Sequence, residues 1–426
     1  MIGLVDCNNF YVSCERVFQP NLEGVPVGVL SNNDGCVIAR SEELKALGVR
    51  MGTPAFQLQP LARRHGVVLL SSNYELYGDM SARVQAVLEE SAPRVEPYSI
   101  DEMFVRFDGL DAEGTLALAH TLHHRVRQYT GIPVSVGIAP TRTLAKLANR
   151  AAKAHSGGHG VLRLTADGPE TRELLQRTPP GEIWGVGRRL AERLPLVGIR
   201  TAADLRQAEA RYIRRRFGTP LERTVLELRG IPAIEMNATD ASRQRIMTSR
   251  SFGRLTHELR ELREAIRQHA QRGAEKLRQQ RSLCRAVQVF LRTPPHRPDL
   301  PQYAPSLIVE LARPTDDSRL ILQAALMALE RIHRRGYRFL KGGVMLLDLV
   351  DIDHHQLSLL DVTQSETERQ RSAALMATLD RLNRRMGRDT VTFGMPTPGA
   401  AWSLRCGNRS NRWTTRWQEL PIAKTR

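Results

Sequence analysis

The sequence predicts an α+β protein of several domains, and three observations support this. The chain has 426 residues, which corresponds to about three or four domains of ordinary size. Strand and helix patterns alternate over residues 1–165, and short helices follow over 170–230. A strand-helix-strand-strand-helix-strand order then occupies 246–350, which is typical of a split βαβ sandwich. Hydrophobic residues make up 41% of the chain, so a globular core is expected.

The chain carries a large positive charge. Lysine and arginine total 62 against 45 aspartate and glutamate residues, which gives a net charge of +17. This excess favours a polyanionic partner, either nucleic acid or an anionic membrane; a soluble cationic protein without such a partner is the alternative. No apolar run approaches the ~18 residues of a spanning helix, and Asp6 follows too early for a signal peptide. We therefore expect a soluble, cytoplasmic protein.

The first domain is predicted from short apolar runs and from helix start and stop signals. A buried strand over 2–5 ends at Asp6, and β-rich runs follow at 25–30 and 67–70. A short helix between them begins after the N-cap candidate Ser41 and stops at Gly48. The remaining elements predicted here are a helix at 73–90, a bent strand pair at 95–107, a helix at 115–129, a strand at 132–139 and a helix at 141–154.

The last third of the chain has a different pattern. Loops are expected at 157–160 and 178–181, where Gly and Pro cluster. The predicted sandwich consists of strands at 246–253, 284–293, 306–314 and 343–350 and helices at 259–278 and 318–334. Beyond Asp351 the periodicity is lost, so we expect a weakly ordered tail, although Trp402, Trp413 and Trp417 indicate some burial.

Three carboxylates are the candidate catalytic groups. Asp6 ends the first strand, and Asp101 and Glu102 lie near the bend of the strand pair. Acids in an apolar neighbourhood need compensation, and divalent cations prefer oxygen ligands. Adjacent residues in a regular strand point to opposite faces, so the pair shares a site only if the bend turns one of them. A solvated turn is the alternative interpretation of the pair.

Ordered motifs surround these acids. Residues 6–15 (DCNNFYVSCE) resemble the opening motif of Y-family translesion DNA polymerases, and 98–102 (YSIDE) resemble their second catalytic motif. Residues 134–139 (VSVGIA) followed by 143–148 (TLAKLA) are similar to the third motif. Residues 30–40 (LSNNDGCVIAR) and 71–77 (SSNYELY) resemble more narrowly the UmuC subgroup, the catalytic subunit of DNA polymerase V. The resemblance runs from residue 1 to about residue 360.

The resemblance implies a right-hand polymerase with palm, small fingers, a helical thumb and a βαββαβ little finger. The implied parts are a palm at 1–12 and 73–165, fingers at 13–72, a thumb at 166–235, a little finger at 243–352, and a clamp-binding motif with a tail at 353–426. Fingers of this size cover little of the nascent base pair, which would allow damaged templates.

The resemblance also implies the residues of the polymerase site. Asp6, Asp101 and Glu102 would hold two Mg²⁺ ions, with the backbone carbonyl of Cys7 as a further ligand. Tyr11 matches the sugar gate, and a core tyrosine is the alternative. The residues implied to meet the nucleotide are Lys45, Lys146 and Tyr74 at the triphosphate and Arg40 at the nascent base pair. Members of the family often carry arginine at the Lys45 position, which would bind phosphate differently.

DNA contacts are implied in two regions. Gly185, Gly187 and Arg188 belong to a segment similar to a helix-hairpin-helix, whose backbone N–H groups approach phosphate. The arginines implied to lie along the duplex are Arg243, Arg245, Arg250 and Arg254. Such contacts carry charge and little sequence information. Solvent-facing arginines without a DNA role are the alternative.

The implied function is template-directed, error-prone translesion synthesis in the SOS response. Its substrates are a damaged primer-template and deoxynucleoside triphosphates, and its partners are a sliding clamp, a UmuD-derived dimer and RecA at the bacterial nucleoid. A DinB-like polymerase that works alone is one alternative. A non-catalytic clamp and DNA adaptor on the same fold is another, and the intact acids Asp6, Asp101 and Glu102 argue against it.

A candidate clamp motif follows the last predicted strand. Gln356, Leu357, Leu359 and Leu360 resemble the bacterial sliding-clamp peptide, in which leucines fill an apolar pocket. A last turn that packs on its own domain is the alternative.

We predict that replacing Gln356, Leu357 and Leu360 together by alanine abolishes binding to the sliding clamp. Unchanged affinity in a direct binding titration would disprove the assignment.

Overall fold

The computed structural model describes residues 1–154, 160–235, 243–353, 366–387, 389–394, 405–420 and 422. The chain divides into two compact units. Unit 1 comprises Met1–Asn237 together with Gly407–Arg426, and unit 2 comprises Ala238–Cys406. The candidate clamp residues Gln356, Leu357, Leu359 and Leu360 lie outside the described residues.

Unit 1 contains two sheets and a set of helices. Its strands are β1 (Ile2–Cys7), β2 (Val27–Leu30), β3 (Val37–Arg40), β4 (Val68–Ser71), β5 (Val95–Pro97), β6 (Glu102–Arg106), β7 (Val134–Ala139) and β8 (Val161–Arg163). Its helices are α1 (Phe10–Phe18), α2 (Glu42–Ala46), α3 (Gln59–His65), α4 (Tyr74–Ser91), α5 (Ala112–Thr130), α6 (Arg142–Ala154), α7 (Pro169–Arg177), α8 (Arg188–Arg193), α9 (Ala202–Gln207), α10 (Ala210–Phe217) and α11 (Thr219–Leu228).

The larger sheet of unit 1 has the strand order β5-β6-β1-β7-β8. Its central strand β1 is apolar because both of its faces are covered. Val5 packs into the core formed with α4 and α5, whereas Leu4 packs into the core formed with α6 and the later helices. In β6, Phe104 belongs to the α6 side as well. Since side chains alternate along a strand, Asp6 and Glu102 are directed to the α6 side.

The smaller sheet has the order β3-β2-β4, with β2 and β4 parallel and β2 and β3 antiparallel. Helix α2 follows β3 and begins as the sequence predicts. The Ser41 hydroxyl accepts from the backbone N–H of Leu44 at 3.3 Å, and it also accepts from Val27 N–H at 3.0 Å. Gly48 follows the helix with φ of 77°, a left-handed conformation that glycine adopts without strain. Strand β3 is an element that the sequence analysis did not predict.

Helices α7–α11 follow the larger sheet. The segment similar to a helix-hairpin-helix consists of α8, a turn and α9. Gly198 in the turn has φ of 83°, and a capping box of Thr201 and Asp204 starts α9. The sequence-level prediction of short helices over 170–230 is therefore confirmed.

Unit 2 is the βαββαβ sandwich that the sequence predicts. Its elements are β9 (Ile246–Thr256), α12 (Leu259–Gln279), β10 (Ser282–Arg292), β11 (Ser306–Thr315), α13 (Ser318–Ile332), β12 (Phe339–Leu347), β13 (Val350–Asp351) and α14 (Glu366–Met386). The sheet order is β11-β10-β12-β9, with antiparallel pairs throughout this path. Helices α12 and α13 cover one face, and a single apolar core lies between them and the sheet.

Helix α14 differs from the expected weakly ordered tail. Its Met376 is buried, and the carboxylate of Asp380 accepts two hydrogen bonds of 2.7 Å from the Arg278 guanidinium. The same guanidinium donates to the Ser318 hydroxyl at 2.9 Å, so α14 is fixed to α12 and α13. The helix presents few buried apolar residues, which explains why hydrophobic periodicity did not reveal it.

The tryptophans of the C-terminal region have different environments. Trp413 is buried in the core of unit 1, whereas Trp417 is 84% exposed. Trp402 lies outside the described residues. None of the described helices is long and apolar enough to span a bilayer.

The contact between α6 and β7 yields a stability prediction. A Cβ on Gly137 would overlap the α6 backbone at Ala145 and Asn149, and backbone cannot yield as a flexible side chain does. We expect Gly137→Ala to lower the free energy of unfolding of the full chain by about 3 kcal/mol. Gly78→Ala is the control, because no atom lies within 4 Å of its Cβ position in α4. That variant should be neutral or more stable in chemical denaturation, and equal effects of both substitutions would contradict the packing argument.

Candidate functional site

Strand pairing brings two of the candidate acids together. In the antiparallel pair of β1 and β6, Asp6 stands directly opposite Glu102. Both are directed to the α6 side, so their carboxylates line the same cavity. That cavity has a volume of about 290 Å³, and its lining includes Asp6, Glu102, Lys146, Lys153 and Trp184.

Asp101 is placed by the bend before β6. Its backbone carbonyl accepts from the Cys7 N–H at 2.8 Å. The Ser99 hydroxyl donates to the Asp101 carboxylate at 2.6 Å and accepts from the Glu102 N–H at 3.1 Å. Asp101 precedes β6, whereas Glu102 begins it, and Asp101 is not among the residues that line the cavity. That Asp101 shares a site with Asp6 and Glu102 stays a prediction.

Helix α6 places a row of polar side chains against the sheet. Lys146 Nζ lies 2.8 Å from Glu102 Oε1 and 2.9 Å from Oε2, and Lys153 Nζ lies 2.5 Å from Asp6 Oδ1. Asn149, between the two lysines, donates to the Leu4 carbonyl at 3.1 Å and so ties α6 to β1. The helical period puts 146, 149 and 153 on one face. The sequence analysis missed Lys153; its seven-residue spacing from Lys146 was the available signal.

The environment of Asp6 disfavours its charged form. Burial raises the pKa of Asp6 to about 6, although the Lys153 ammonium acts in the opposite direction. The negative charges of Glu102 and Asp101 raise that pKa further. Burial is the main cause of the shift, and a cation placed near the Asp6 carboxylate would favour its charged form.

Lys146 is enclosed by aromatic rings as well as by Glu102. Its Nζ lies 4.4 Å from the ring centroid of Tyr98 and 5.6 Å from that of Trp184. The Trp184 indole N–H donates to the Tyr98 hydroxyl at 3.0 Å, which fixes both rings. The sequence analysis gave Trp184 no role in the site, because only the fold brings residue 184 to the acid pair.

The candidate sugar gate lies in an aromatic cluster. The Tyr11 ring stacks on Tyr77 with centroids 4.4 Å apart and meets Tyr74 edge-on at 6.0 Å. Tyr11 is half-buried, Tyr74 is exposed and Tyr77 is buried. Burial raises the pKa of Tyr11 to about 12, so its hydroxyl stays protonated at neutral pH. Buried Phe10 precedes Tyr11, and Tyr11 itself is not a fully buried core residue.

The two candidate cations of residues 13–72 have intramolecular partners. Lys45 Nζ lies 2.7 Å from Glu42 Oε1, and the Asn9 side-chain amide donates to the same oxygen at 3.0 Å. The Arg40 guanidinium donates to the Val49 carbonyl at 2.7 Å. Neither residue lines the cavity that holds Asp6 and Glu102.

The candidate DNA-binding residues lie in both units and are described within each. In unit 1, Gly185 has φ of 86°, Gly187 directly precedes α8, and Arg188 is exposed. In unit 2, Arg243 and Arg245 are exposed ahead of β9.

The two arginines within β9 differ in their surroundings. Arg254 Nη2 lies 2.6 Å from Glu261 Oε1. Arg250 stands two residues after Thr248 and two before Phe252, both on the helix side of the sheet. Burial lowers the pKa of His269 on α12 to about 4, and the Arg250 charge lowers it further. Arg250 therefore lies near the helix face, which sequence position alone could not establish.

The chemistry of the donor set fits a divalent cation. The Asp6 and Glu102 carboxylates lie opposite each other on adjacent strands, and each forms an ion pair with a lysine ammonium group. Oxygen ligands of this kind are those that hard divalent cations prefer. Within the described ranges, no group of three or more His, Cys, Asp or Glu side chains is arranged to hold a metal ion. The Cys7 thiol is buried, and burial raises its pKa, so the thiol is not a ready ligand.

Family models match most of the chain. A model of the impB/mucB/samB family matches residues 5–150, and a model of that family's C-terminal domain matches 243–359. A further model, described as a domain of unknown function, matches 373–423.

Relatives and solved structures agree with these matches. The protein ImpB of Salmonella typhimurium is 45% identical over 426 residues, which is 100% of each chain. UmuC of the same species is 44% identical over 422 residues, 99% of each. DNA polymerase IV 1 of Bacillus subtilis is 33% identical over 220 residues, 50% of this chain and 51% of that protein. Among solved structures, a Y-family polymerase chimera of Dbh and Dpo4 has a TM-score of 0.63 at 22% identity, covering 82% of this chain and 100% of that one.

The fold is that of the Y-family DNA polymerases. Within that class the chain belongs to the impB/mucB/samB family and is of the UmuC type. The predicted right-hand fold class is confirmed.

Because burial raises the pKa of Asp6, removal of this carboxylate should stabilise the fold at neutral pH. The folded-state pKa of about 6 exceeds the reference value of 3.8, so this group stabilises the fold below the reference value, and the contribution is lost as pH rises through about 6. Asp6→Asn is uncharged at every pH. In chelator at about pH 7.5 we expect it to be more stable than the parent, with a difference that shrinks as pH falls and vanishes below the reference value of 3.8, as measured by chemical denaturation. A variant less stable than the parent at the higher pH would contradict the assignment.

Proposed function

We propose that nucleotidyl transfer takes place in the cavity where β1 and β6 present Asp6 and Glu102 to helix α6. The chain is a template-directed, error-prone lesion-bypass polymerase of the SOS response, and it acts on primer-template DNA and deoxynucleoside triphosphates. The observation that carries the location of the reaction is the cross-strand pairing of Asp6 with Glu102, and Asp101, which accepts from the Ser99 hydroxyl, directly precedes Glu102 in the chain.

Asp6, Asp101 and Glu102 are the proposed ligands of two Mg²⁺ ions, with the Cys7 carbonyl as an additional oxygen donor. When bound, the ions would supply Lewis-acid stabilisation of the triphosphate and would activate the primer 3′-hydroxyl. The strand register and the Ser99 turn would place these oxygens, and binding of the ions would require Lys146 and Lys153 to leave the Glu102 and Asp6 carboxylates.

Lys146 and Lys153 are the proposed phosphate-binding cations. Each is held on a carboxylate, at Glu102 and Asp6 respectively, and each lines the same cavity. When the carboxylates take up metal, the ammonium groups are free to donate to triphosphate oxygens, where they offset the charge that develops on the departing pyrophosphate. Tyr74, Lys45 and Arg40 are proposed to meet the incoming nucleotide from residues 13–77.

Tyr11 is proposed to select deoxyribose. Its ring is fixed by the stack on Tyr77, so a ribose 2′-hydroxyl against that ring would meet a surface that cannot move aside.

The chain is also proposed to bind DNA and several proteins. The exposed Arg188 and the glycines 185 and 187 are proposed to bind phosphate from the α8 region, and Arg243, Arg245, Arg250 and Arg254 from unit 2. The net charge of +17 supports a role on DNA at the nucleoid. The similarity to UmuC supports a UmuD-derived dimer, and we also propose RecA and the sliding clamp as partners. Primer extension with and without these proteins would separate this scheme from a stand-alone polymerase.

Substitution at Asp101 distinguishes an enzyme from a DNA adaptor. We expect Asp101→Ala to lower primer extension by at least about 100-fold while DNA binding persists, because metal ligation is lost and phosphate contacts remain. Asp108→Ala is the matched control, since Asp108 lies beyond β6 and pairs with Arg106 on the surface. Equal extension by the parent and Asp101→Ala would eliminate this carboxylate from catalysis.

Substitution at Tyr11 tests the sugar gate. Tyr11→Ala should increase ribonucleotide incorporation relative to deoxyribonucleotide incorporation by about ten-fold or more, since the ring that excludes the 2′-hydroxyl is gone. Single-nucleotide kinetics give the ratio of the two kcat/KM values. Tyr129→Ala, at an exposed tyrosine of α5, serves as the control and should leave that ratio unchanged.

A further inference from the structure

Residues 407–420, which we call the C-terminal strap, pack on the rest of unit 1. They fall within the segment matched by the domain of unknown function, and nothing in the polymerase reaction accounts for them. The strap begins at the end of β4. The Ser71 N–H donates to the Asn408 carbonyl at 3.0 Å, and the Asn408 N–H donates to the Ser71 hydroxyl at 3.0 Å. The Gly407 N–H donates to Asp34 at 3.0 Å.

The strap next contacts the residue that starts helix α4. The side-chain amide of Asn73, the N-cap residue of α4, donates to the Ser410 carbonyl at 3.2 Å and to the Asn411 carbonyl at 3.0 Å. The same amide donates to the Ser410 hydroxyl at 2.9 Å. Asn73 is buried; its amide nitrogen donates to the strap, while its amide oxygen accepts from the Leu76 N–H at 3.5 Å and caps α4. The position of α4 is therefore coupled to the strap at the turn that carries Tyr74 and Tyr77.

A buried carboxylate joins the strap to the aromatic cluster. Glu15 of α1 is completely buried and accepts from the Tyr77 hydroxyl at 2.7 Å and from the Ser410 hydroxyl at 2.9 Å. Gln19 donates to its other oxygen at 3.3 Å. Among the described residues, no lysine or arginine forms an ion pair with Glu15, so neutral donors hold it. Loss of one donor would leave this buried carboxylate with an unsatisfied hydrogen bond and would weaken the placement of its remaining partners.

An aromatic contact fixes the other end of α1. Trp413 of the strap is buried and stacks on Phe18, with ring centroids 5.0 Å apart and planes 17° from parallel. Phe18 ends α1, the helix whose second residue is Tyr11. Arg412 pairs with Glu419 within the strap and reaches Glu75 of α4 at 3.3 Å. The strap thus contacts both helices that carry the aromatic cluster.

We propose that the C-terminal strap is a positioning element of the nucleotide site, in which Ser410 and Trp413 hold Glu15 and α1 so that Tyr77 fixes the ring of Tyr11. Ser410 and Trp413 touch no substrate in this scheme and act through Glu15, Phe18 and Tyr77. The proposal rests on the proposed role of Tyr11 in sugar selection. It assigns a function to the C-terminal segment that neither the polymerase chemistry nor DNA binding requires.

Sugar selection in strap variants of the full chain tests the proposal. Trp413→Ala and Ser410→Ala should lower the discrimination between deoxyribo- and ribonucleotides by about five-fold, while Trp413→Phe and Ser410→Thr, which keep the stack and the hydroxyl, should restore it. Trp417→Ala is the matched control, because that tryptophan lies in the same strap and is 84% exposed. Equal discrimination in Trp413→Ala, Trp417→Ala and the parent would overturn the proposal.

A double-mutant cycle separates this proposal from the one on which it rests. If the strap acts through Tyr11, Trp413→Ala has no further effect on sugar discrimination in a Tyr11→Ala background. An additive effect would show that the strap acts elsewhere and would overturn the inference. If Tyr11→Ala alone leaves discrimination unchanged, the gate assignment fails, and the strap's role in sugar selection fails with it; if Tyr11→Ala matters and Trp413→Ala does not, only the strap inference fails.

A measurement independent of activity covers the possibility that a variant is poorly folded. Hydrogen exchange of the full chain should show faster exchange at the amides of 74–77 and of α1 in Trp413→Ala, with the βαββαβ core of unit 2 unchanged. Trp417→Ala should match the parent at both places. Faster exchange throughout unit 1 and unit 2 would indicate general destabilisation and would count against a positioning role.

Discussion

The antiparallel register of β1 against β6 is the constraint on which the site depends. It sets Asp6 opposite Glu102, and the alternation of side chains then sends both carboxylates to the α6 side of the sheet. A slip of one residue would exchange Asp6 for its neighbour Val5 on that side and would bury the acid among apolar side chains. Helix α6 complements this register, because its helical period brings Lys146 and Lys153 onto the two acids. The sheet supplies the two carboxylates, and the two lysines of α6 compensate their negative charge before substrate binds.

Much of the fold follows from local sequence signals. The buried strand that ends at Asp6, the Ser41 cap and the βαββαβ order all rest on local hydrophobic and capping patterns, and each is present in the structure. Strand β3 was missed because a four-residue run inside a loop-like stretch offers too little periodicity. Helix α14 was missed because it depends on Met376 and on the Arg278–Asp380 pair, which is a tertiary interaction between residues about a hundred positions apart.

The candidate site was predictable only in part. Motifs place the three acids in the chain, but the turn of Asp101 depends on the hydroxyl of Ser99, and the environment of Lys146 depends on Trp184. Sequence position grouped Arg250 with three other arginines implied to lie along DNA, whereas the alternation of strand β9 directs it toward the helices. Interactions between distant segments therefore decide which charged side chains are exposed to solvent and which form ion pairs or hydrogen bonds. Composition does not contain this information.

The division of the chain has a consequence for how the enzyme is held together. Unit 1 contains both the first 237 residues and the strap, so the polypeptide passes from one body to the other and then returns. In the described part of the chain, the Phe393 carbonyl accepts from Gln271 of unit 2 at 2.8 Å, and the Gly407 N–H donates to Asp34 of unit 1 at 3.0 Å. Two stretches of polypeptide therefore connect the two units while the strap is docked. Release of the strap would leave one connection, so the proposed nucleotide selection and the freedom of unit 2 would change in one event.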